Sequence, residues 1–280
     1  MKTIFSAKQG FTCLFVISFF SSLMAQSPKE QAVLNAELAI GTICEMVYTK
    51  AATMSATGLP CEGNNDQVCF TTGCKPYSES QIFPLTIYVS IPTTCPYITQ
   101  RGDTISGKID MTFSGTITQS NAVNVSVLLT NVKVNSIGAS GNLAVTANKN
   151  SNQALNLTAK SANFNITSAK GQSLFFSDLT YTLTQVGGMT TTFRTSGKAA
   201  VNDDSFDITI NGTAKDNTGT TVIVTTTTPL HHIYSCEWTV SGILECKMGS
   251  LISKIDYGTG TCDNLVTLTV GTVTKTMPLP

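Results

Sequence analysis

The sequence predicts a mainly β protein built on one large antiparallel sheet, and three observations support this. Between Ile105 and Thr118 the apolar side chains occupy odd positions, and Ser, Thr, Lys and Asp fill the even ones, as in a strand with one face in water. The same period of two returns in shorter segments almost to the C-terminus. Short turns rich in Gly, Asn, Asp and Ser separate these segments, which favours hairpins over helical crossovers.

The candidate strands cover most of the chain after residue 84. They span residues 85–91, 106–118, 124–134, 142–148, 154–160, 163–167, 178–185, 190–196, 205–213, 220–227, 233–240, 243–247, 251–257 and 265–270. A sheet of this size is expected to be curved. It could wrap an N-terminal helix, close on itself in a barrel-like form, or split into a sandwich.

Residues 1–25 have the pattern of a signal peptide. Lys2 and Lys8 precede an apolar run at 11–24, and Ala25 offers a small residue at a cleavage point. The run is shorter than the roughly 20 residues that a membrane span needs. We therefore expect a single exported mature domain at 26–280 with no transmembrane segment, in the periplasm, on the outer surface or outside the cell.

The mature domain divides into two parts by composition. Residues 26–80 predict one helix and a cystine-rich loop segment, and residues 81–280 predict the antiparallel meander. Ser27 and Pro28 suit the start of a helix, and apolar residues recur at intervals of three and four from Val33 to Val47.

Charge excludes one class of partner. Asp, Glu, Lys and Arg make up 12% of the chain, and 17 basic residues balance 17 acidic ones. This balance predicts no basic face that could neutralise a run of phosphates, so we expect no nucleic acid partner. No motif for a cofactor is recognised, and none is expected.

Eight of the nine cysteines follow the signal segment, and an even count behind an export signal favours disulfides. A three-residue hairpin loop at 240–242 would set Cys236 opposite Cys246, so we predict that these two are paired. A two-residue loop at 241–242 would offset the two sulfur atoms instead. The remaining cysteines have spacings that fit no zinc site and are not assigned to pairs: Cys44, Cys61, Cys69, Cys74, Cys95 and Cys262.

Two short segments resemble a known group of proteins. The segment 255–264, with Asp256, Tyr257, two glycines, Cys262 and Asp263 before a last alternating strand, resembles the closing motif of uncharacterised secreted proteins and lipoproteins of Bacteroidota. The segment from Pro92 to Gly115 resembles the first sheet motif of the same group. The resemblance implies an N-terminal helix and a long curved antiparallel sheet in a cell-envelope or extracellular protein. It implies no activity, and this chain lacks the cleavage-point cysteine of the lipoprotein members.

Catalytic residue types are scarce. His231 and His232 are the only histidines, and neighbours on a strand point to opposite faces, so the two cannot share a metal or a substrate. Pro229 and the threonines before it predict a solvated loop or strand end at this point. No Gly-x-Ser-x-Gly motif accompanies them.

Carboxylates are the other candidates for chemistry. A glycosidase needs two of them at roughly 5 to 10 Å, and clusters occur at Asp203, Asp204 and Asp207 and at Asp256 and Asp263. Because an aspartate in a turn usually bonds to its own backbone, we expect structural roles. The 256–263 loop lacks the ligand count of a calcium site, and no metal is predicted.

The composition favours a binding or structural module over an enzyme. Trp238, Asp256 and Asp263 are the candidate binding residues, since a tryptophan ring can stack on a sugar. We predict a non-enzymatic exported β protein with a glycan or a surface protein as its partner. The alternatives are a polysaccharide-acting hydrolase with paired Asp residues and a carrier of an apolar ligand; the oligomeric state is open.

Overall fold

The computed structural model describes residues 33, 39–41, 43–44, 71–75, 84–98, 104–115, 122–149, 154–188, 204–233, 235–236 and 238–279. Residues 33, 39–41 and 43–44 are helical. The strands are β1 (Thr71–Lys75), β2 (Leu85–Ile91), β3 (Tyr97–Ile98), β4 (Thr104–Phe113), β5 (Val123–Val134), β6 (Ile137–Lys149), β7 (Leu155–Ser161), β8 (Phe164–Thr167), β9 (Ser173–Gly187), β10 (Ser205–Asp216), β11 (Thr221–Ile233), β12 (Thr239–Met248), β13 (Leu251–Thr259), β14 (Leu265–Val270) and β15 (Val273–Pro278).

These strands form one antiparallel sheet in which neighbours in space are neighbours in sequence. Its order is β1-β2-β4-β5-β6-β7-β9-β10-β11-β12-β13-β14-β15. The two short strands extend existing positions: β3 continues β2 along β4, and β8 continues β7 between β6 and β9. The predicted fold class, a large antiparallel sheet with an N-terminal helix, is therefore confirmed.

Alternation along each strand separates a buried face from a wet one. In β5 the burial pattern switches at every residue from Val123 to Thr130, and the buried phase of the strands from β2 to β14 belongs to a single apolar cluster. We call this buried face inward and the other face outward.

The helix packs on the inward face. Val33, Ala39, Ile40 and Ile43 are at most 1% exposed and belong to the same cluster as the strands. A Cβ added at Gly41 would lie 3.4 Å from the hydroxyl oxygen of Tyr181, which places this part of the helix against β9. The apolar stripe predicted from Val33 onward is thus directed into the sheet.

Burial of the inward face requires the sheet to curve. A flat sheet of this width, with strands roughly 4.8 Å apart, would be several times wider than a helix roughly 10 Å across. Sheets of more than about ten strands normally curl because every strand adds twist. A single core that includes the helix and strands from β2 to β14 therefore fits a curved sheet around the helix.

Irregularities in the ladders help the sheet to bend. Bulges add local twist and bend the strand that carries them. Register shifts occur between Ser106 and Lys108, Leu129 and Val132, Thr213 and Ala214, Ile208 and Asn211, Thr226 and Thr228, and Ser241 and Ile243. They recur from β4 to β13, so the bend is distributed over the sheet.

The sequence located most strands but misplaced some. It did not predict β1, β3 or β15, and it predicted a strand at 233–240 where β11 ends at Ile233 and β12 starts at Thr239. The predicted strand at 190–196 lies outside the described residues, as do Ser27, Pro28 and the signal segment. In the described part of the chain, no helix has both the length and the apolarity to cross a membrane.

The predicted disulfide is wrong. Cys236 is bonded to Cys262, with 5.8 Å between their Cα atoms, and Cys246 is a buried thiol. The predicted hairpin loop does not exist, because residues 240–242 belong to one continuous strand, β12. Gly242 has the expected positive φ of 115°, but it forms a bulge against the backbone of Pro229 on β11.

Of the other cysteines whose side chains the structure describes, one forms a disulfide and one is a free thiol. Cys95 is disulfide-bonded, whereas Cys44 is a thiol in the core whose burial raises its pKa far above the usual range. Cys61 and Cys69 lie outside the described residues, and the side chain of Cys74 is not among those described. The assumption that all eight cysteines are oxidised is therefore wrong for Cys44 and Cys246.

We predict that Cys262→Ala destabilises the fold by about 3 kcal/mol, because it releases a loop of 26 residues in the unfolded chain. Cys246→Ala is the matched control and should cost about 1 kcal/mol, the value of a small buried apolar group. Urea unfolding measures both changes. Non-reducing peptide mapping should find Cys236 linked to Cys262, and a Cys236–Cys246 peptide would contradict this connectivity.

We predict that Gly141→Ala destabilises the fold by more than 3 kcal/mol, counted as about 1 to 3 kcal/mol of backbone strain plus a steric overlap. Gly141 has a φ of 121°, and an added Cβ would overlap the carbonyl oxygen of Asn163. Gly171→Ala is the control, because its φ is 77° but nothing lies within 4 Å of the added Cβ; it should cost about 1 to 2 kcal/mol. Equal losses in urea unfolding would refute the close approach as the cause.

Candidate functional site

The outward face carries two unbroken rows of polar side chains. The histidine row runs through directly paired positions on seven strands: Asn148, Asn156, Thr184, Asp207, His231, Ser241 and Thr259. The threonine row lies beside it, two residues along each shared strand: Asn124, Thr146, Thr158, Thr182 and Thr209. Strand geometry sets neighbours within a row roughly 4.8 Å apart and the rows roughly 7 Å apart.

The centre of the histidine row is a bonded pair. The Nδ1 atom of His231 lies 2.8 Å from Oδ1 of Asp207, and their side chains are 33% and 41% exposed. A carboxylate only accepts hydrogen bonds, so Nδ1 carries the proton and Nε2 is the acceptor when the ring is neutral. The pair therefore offers carboxylate oxygens and an oriented ring nitrogen at one partly exposed place.

The threonine row is held by hydrogen bonds between its own side chains. The hydroxyl of Thr146 donates to Oδ1 of Asn124 at 2.9 Å, and the hydroxyls of Thr182 and Thr209 bond to each other across β9 and β10. Such contacts fix the side-chain rotamers, so the free energy cost of ordering these groups in a complex is smaller.

The pairing of β10 with β11 creates this site, and sequence reasoning missed it. Asp207 and His231 are 24 residues apart and meet only because they are register partners. Both histidines lie at the end of β11, which closes at Ile233, so the predicted strand end is correct and the predicted loop is wrong. Only His231 is partly exposed, because His232 is 6% exposed on the inward face. Their opposite orientations, in contrast, were correctly predicted from strand geometry. The sequence contained one signal for this site: the alternation of polar and apolar residues on β10 and β11, which places Asp207 and His231 on the outward face.

The predicted binding residues occupy separate places. Trp238 is half-buried just before β12. Asp256 accepts a hydrogen bond from the Gly258 amide at 3.0 Å, and Asp263 accepts one from the Leu265 amide at 2.9 Å. Both carboxylates therefore bond to backbone two residues ahead, as expected for aspartate, although Asp256 lies within β13 and only Asp263 lies in a bend between strands.

The acidic cluster around Asp207 is also divided. Asp204 is 8% exposed, and its Oδ1 accepts a hydrogen bond from Nε2 of Gln185 at 3.2 Å. Gln185 in turn accepts from the Leu155 amide at 3.2 Å, so Asp204 belongs to a buried polar network, whereas Asp207 pairs with His231 on the outward face. Asp203 lies outside the described residues.

No metal site emerges from the residues that the structure describes, since they contain no group of three or more His, Cys, Asp or Glu residues that could hold an ion. Comparison with protein-family models, with curated proteins and with solved structures finds no match to this chain.

Proposed function

We propose that this chain is a non-enzymatic, exported binding module that holds glycans on the outward rows. The observation that carries the proposal is the histidine row, which presents hydroxyls, amides, a carboxylate and an imidazole across seven adjacent strands without one apolar side chain. A ligand rich in hydroxyl groups can exchange hydrogen bonds with each of these groups.

The chemistry of the rows favours a glycan over a protein partner. The centre of a protein interface is normally enriched in aromatic residues and Met and buries apolar surface. The two rows contain none of those residues. A neutral glycan also needs no strong charge, which agrees with the balanced charge of the chain.

Export is supported by the covalent structure and by the sequence. Disulfides persist in oxidising compartments, and both the Cys236–Cys262 bond and the bonded Cys95 fit such a location. The signal-like segment at 1–25 and the resemblance to envelope and secreted proteins of Bacteroidota point the same way. We therefore propose that the protein acts in the periplasm, on the cell surface or in the medium.

Glycan-array binding by the purified protein tests the proposal. Asp207→Asn combined with His231→Ala should weaken binding tenfold or more, because a hydrogen bond to a charged group contributes about 1.5 to 3 kcal/mol. Thr182→Val should weaken it by a few-fold. Thr267→Val is the matched control, since Thr267 also makes a cross-strand hydroxyl contact, with Thr276 on β15, but belongs to neither row.

Three results would contradict the outward rows as the site. The first is an array on which no glycan is bound. The second is an equal affinity for the unchanged protein and all three variants. The third is binding that disappears with Trp238→Ala while the row variants retain it. The last result would move the site to the loop before β12, where the sequence first suggested it.

A second candidate, hydrolysis, rests on one specific observation. Asp207, His231 and Ser241 occupy directly paired positions on β10, β11 and β12, in the order carboxylate, imidazole, hydroxyl that activates a serine nucleophile. Nδ1 of His231 is already bonded to Asp207, so Nε2 is the ring atom that would take the proton of the Ser241 hydroxyl.

A fluorophosphonate probe separates hydrolysis from binding. If Ser241 is a nucleophile, its oxygen displaces fluoride from phosphorus, the proton passes to His231, and the probe labels the protein. Labelling should then disappear in Ser241→Ala and fall strongly in His231→Gln. If the protein is a binding module, as proposed, Ser241 is not labelled.

A further inference from the structure

We propose that a second surface, at the opposite end of the outward face from the histidine row, docks on an anionic lipid membrane. It consists of Phe175, Ile223 and Ile252, which are 46%, 42% and 45% exposed, together with Lys215 and Lys247. We call this surface the turn-end patch, because it lies beside the turns that join β8 to β9, β10 to β11 and β12 to β13.

Strand register interleaves the apolar and basic side chains. Phe175 pairs directly with Lys215 on the next strand. Ile223 pairs with Lys247, and Lys247 pairs with Ile252. Phe175, Lys215 and Ile223 each lie between two buried residues. Direct register pairing with Ile223 and with each other places Lys247 and Ile252 on the same outward face. The patch crosses five strands, which corresponds to roughly 19 Å.

The exposed apolar side chains are unevenly distributed over the molecule. Among the described residues the other large apolar side chains above 40% exposure are Leu128, Val186, Leu251 and Leu265. Leu251 precedes Ile252 at the same end of the sheet, so four of the seven gather there. The other three lie outside the patch: Leu128 on β5, Val186 at the opposite end of β9 from Phe175, and Leu265 on β14.

The charge around the patch is positive. Lys170 lies in the turn before β9 and adds to Lys215 and Lys247. Two carboxylates also face outward here: Asp178 is opposite Thr213, which pairs with Ile223 of the patch, and Glu245 is opposite Lys254. The lysines at 170, 215, 247 and 254 outnumber them. Asp216 lies at the turn itself, but it is 9% exposed, and its Oδ1 accepts hydrogen bonds from the Thr218 amide and hydroxyl and the Thr220 amide.

This combination fits a lipid headgroup region better than other partners. Lysine is depleted in protein interfaces, and an acidic polysaccharide would leave the isoleucines and Phe175 in water. At a bilayer surface, apolar side chains enter the boundary of the acyl chains, while lysine stems lie alongside them and the ammonium groups reach the phosphates. Anionic lipid is therefore the occupant whose chemistry uses both halves of the patch.

The patch is remote from the proposed glycan site. On the strands that they share, the two surfaces are nine residues apart on β9 (Thr184 and Phe175) and six apart on β12 (Ser241 and Lys247), which corresponds to roughly 20 to 30 Å. The patch and the histidine row have no residue in common. The proposal therefore does not depend on the glycan proposal, and either one can fail alone.

Co-sedimentation with lipid vesicles is the test. The purified protein should bind phosphatidylcholine vesicles that contain about one third phosphatidylglycerol more strongly than pure phosphatidylcholine vesicles, and added salt should weaken this binding. Lys215→Gln with Lys247→Gln should lower the partition coefficient about tenfold to thirtyfold. Phe175→Ser with Ile252→Ser should lower it as much without changing the salt dependence.

Matched variants control for other surfaces of the chain. Leu128 is 44% exposed and Lys160 is exposed, both on the outward face outside the patch, so Leu128→Ser with Lys160→Gln should leave the partition coefficient unchanged. All substituted side chains are exposed, and circular dichroism verifies the fold of each variant.

Several outcomes would overturn the proposal. They are the absence of binding to anionic vesicles at low salt, equal losses in the patch and control variants, and competition by an acidic polysaccharide that depends on the lysines alone. A dimer that Phe175→Ser dissociates in sedimentation would assign the patch to a second copy of the chain instead.

Discussion

The burial of one face of a very wide antiparallel sheet is the constraint on which the rest of the structure depends. Each strand has an inward apolar phase, and the inward phase of strands from β2 to β14 joins one core with the helical residues near Ile40. A flat sheet could not bury that face against one helix. Accumulated twist and repeated bulges provide the curvature. At one of these bulges Gly141 lacks a side chain, which leaves space for the carbonyl oxygen of Asn163.

Because apolar burial is confined to the inward side, the outward side is left for polar and functional groups. Antiparallel pairing without crossovers then aligns equivalent positions of successive strands into straight rows. Threonine suits such a surface since its branched side chain favours strands and its hydroxyl remains hydrated. Two kinds of surface result on one face: the polar histidine and threonine rows, and the turn-end patch, where Phe175 and two isoleucines alternate with lysines.

The cysteines illustrate the same division between the interior and the loops. Cys246 and Cys44 lie in the core, and burial keeps the pKa of the Cys44 thiol high, so this sulfur stays protonated and inert. Cys236 lies between β11 and β12 and Cys262 between β13 and β14, and their bond joins these two connections. Count and compartment alone therefore do not decide which sulfur atoms pair.

The sequence by itself determined the period of two, and with it the fold class, the inward residues such as Ile109 and Phe113, and the opposite orientations of His231 and His232. These are local properties, fixed by the geometry of a strand. Tertiary structure alone decided which residues meet. The pairing of Asp207 with His231 and of Cys236 with Cys262 depends on register across strands, and bulges such as that at Gly242 shift register without leaving a distinctive local pattern. A glycine with positive φ has the same appearance in a sequence whether it turns a hairpin or bends a continuous strand.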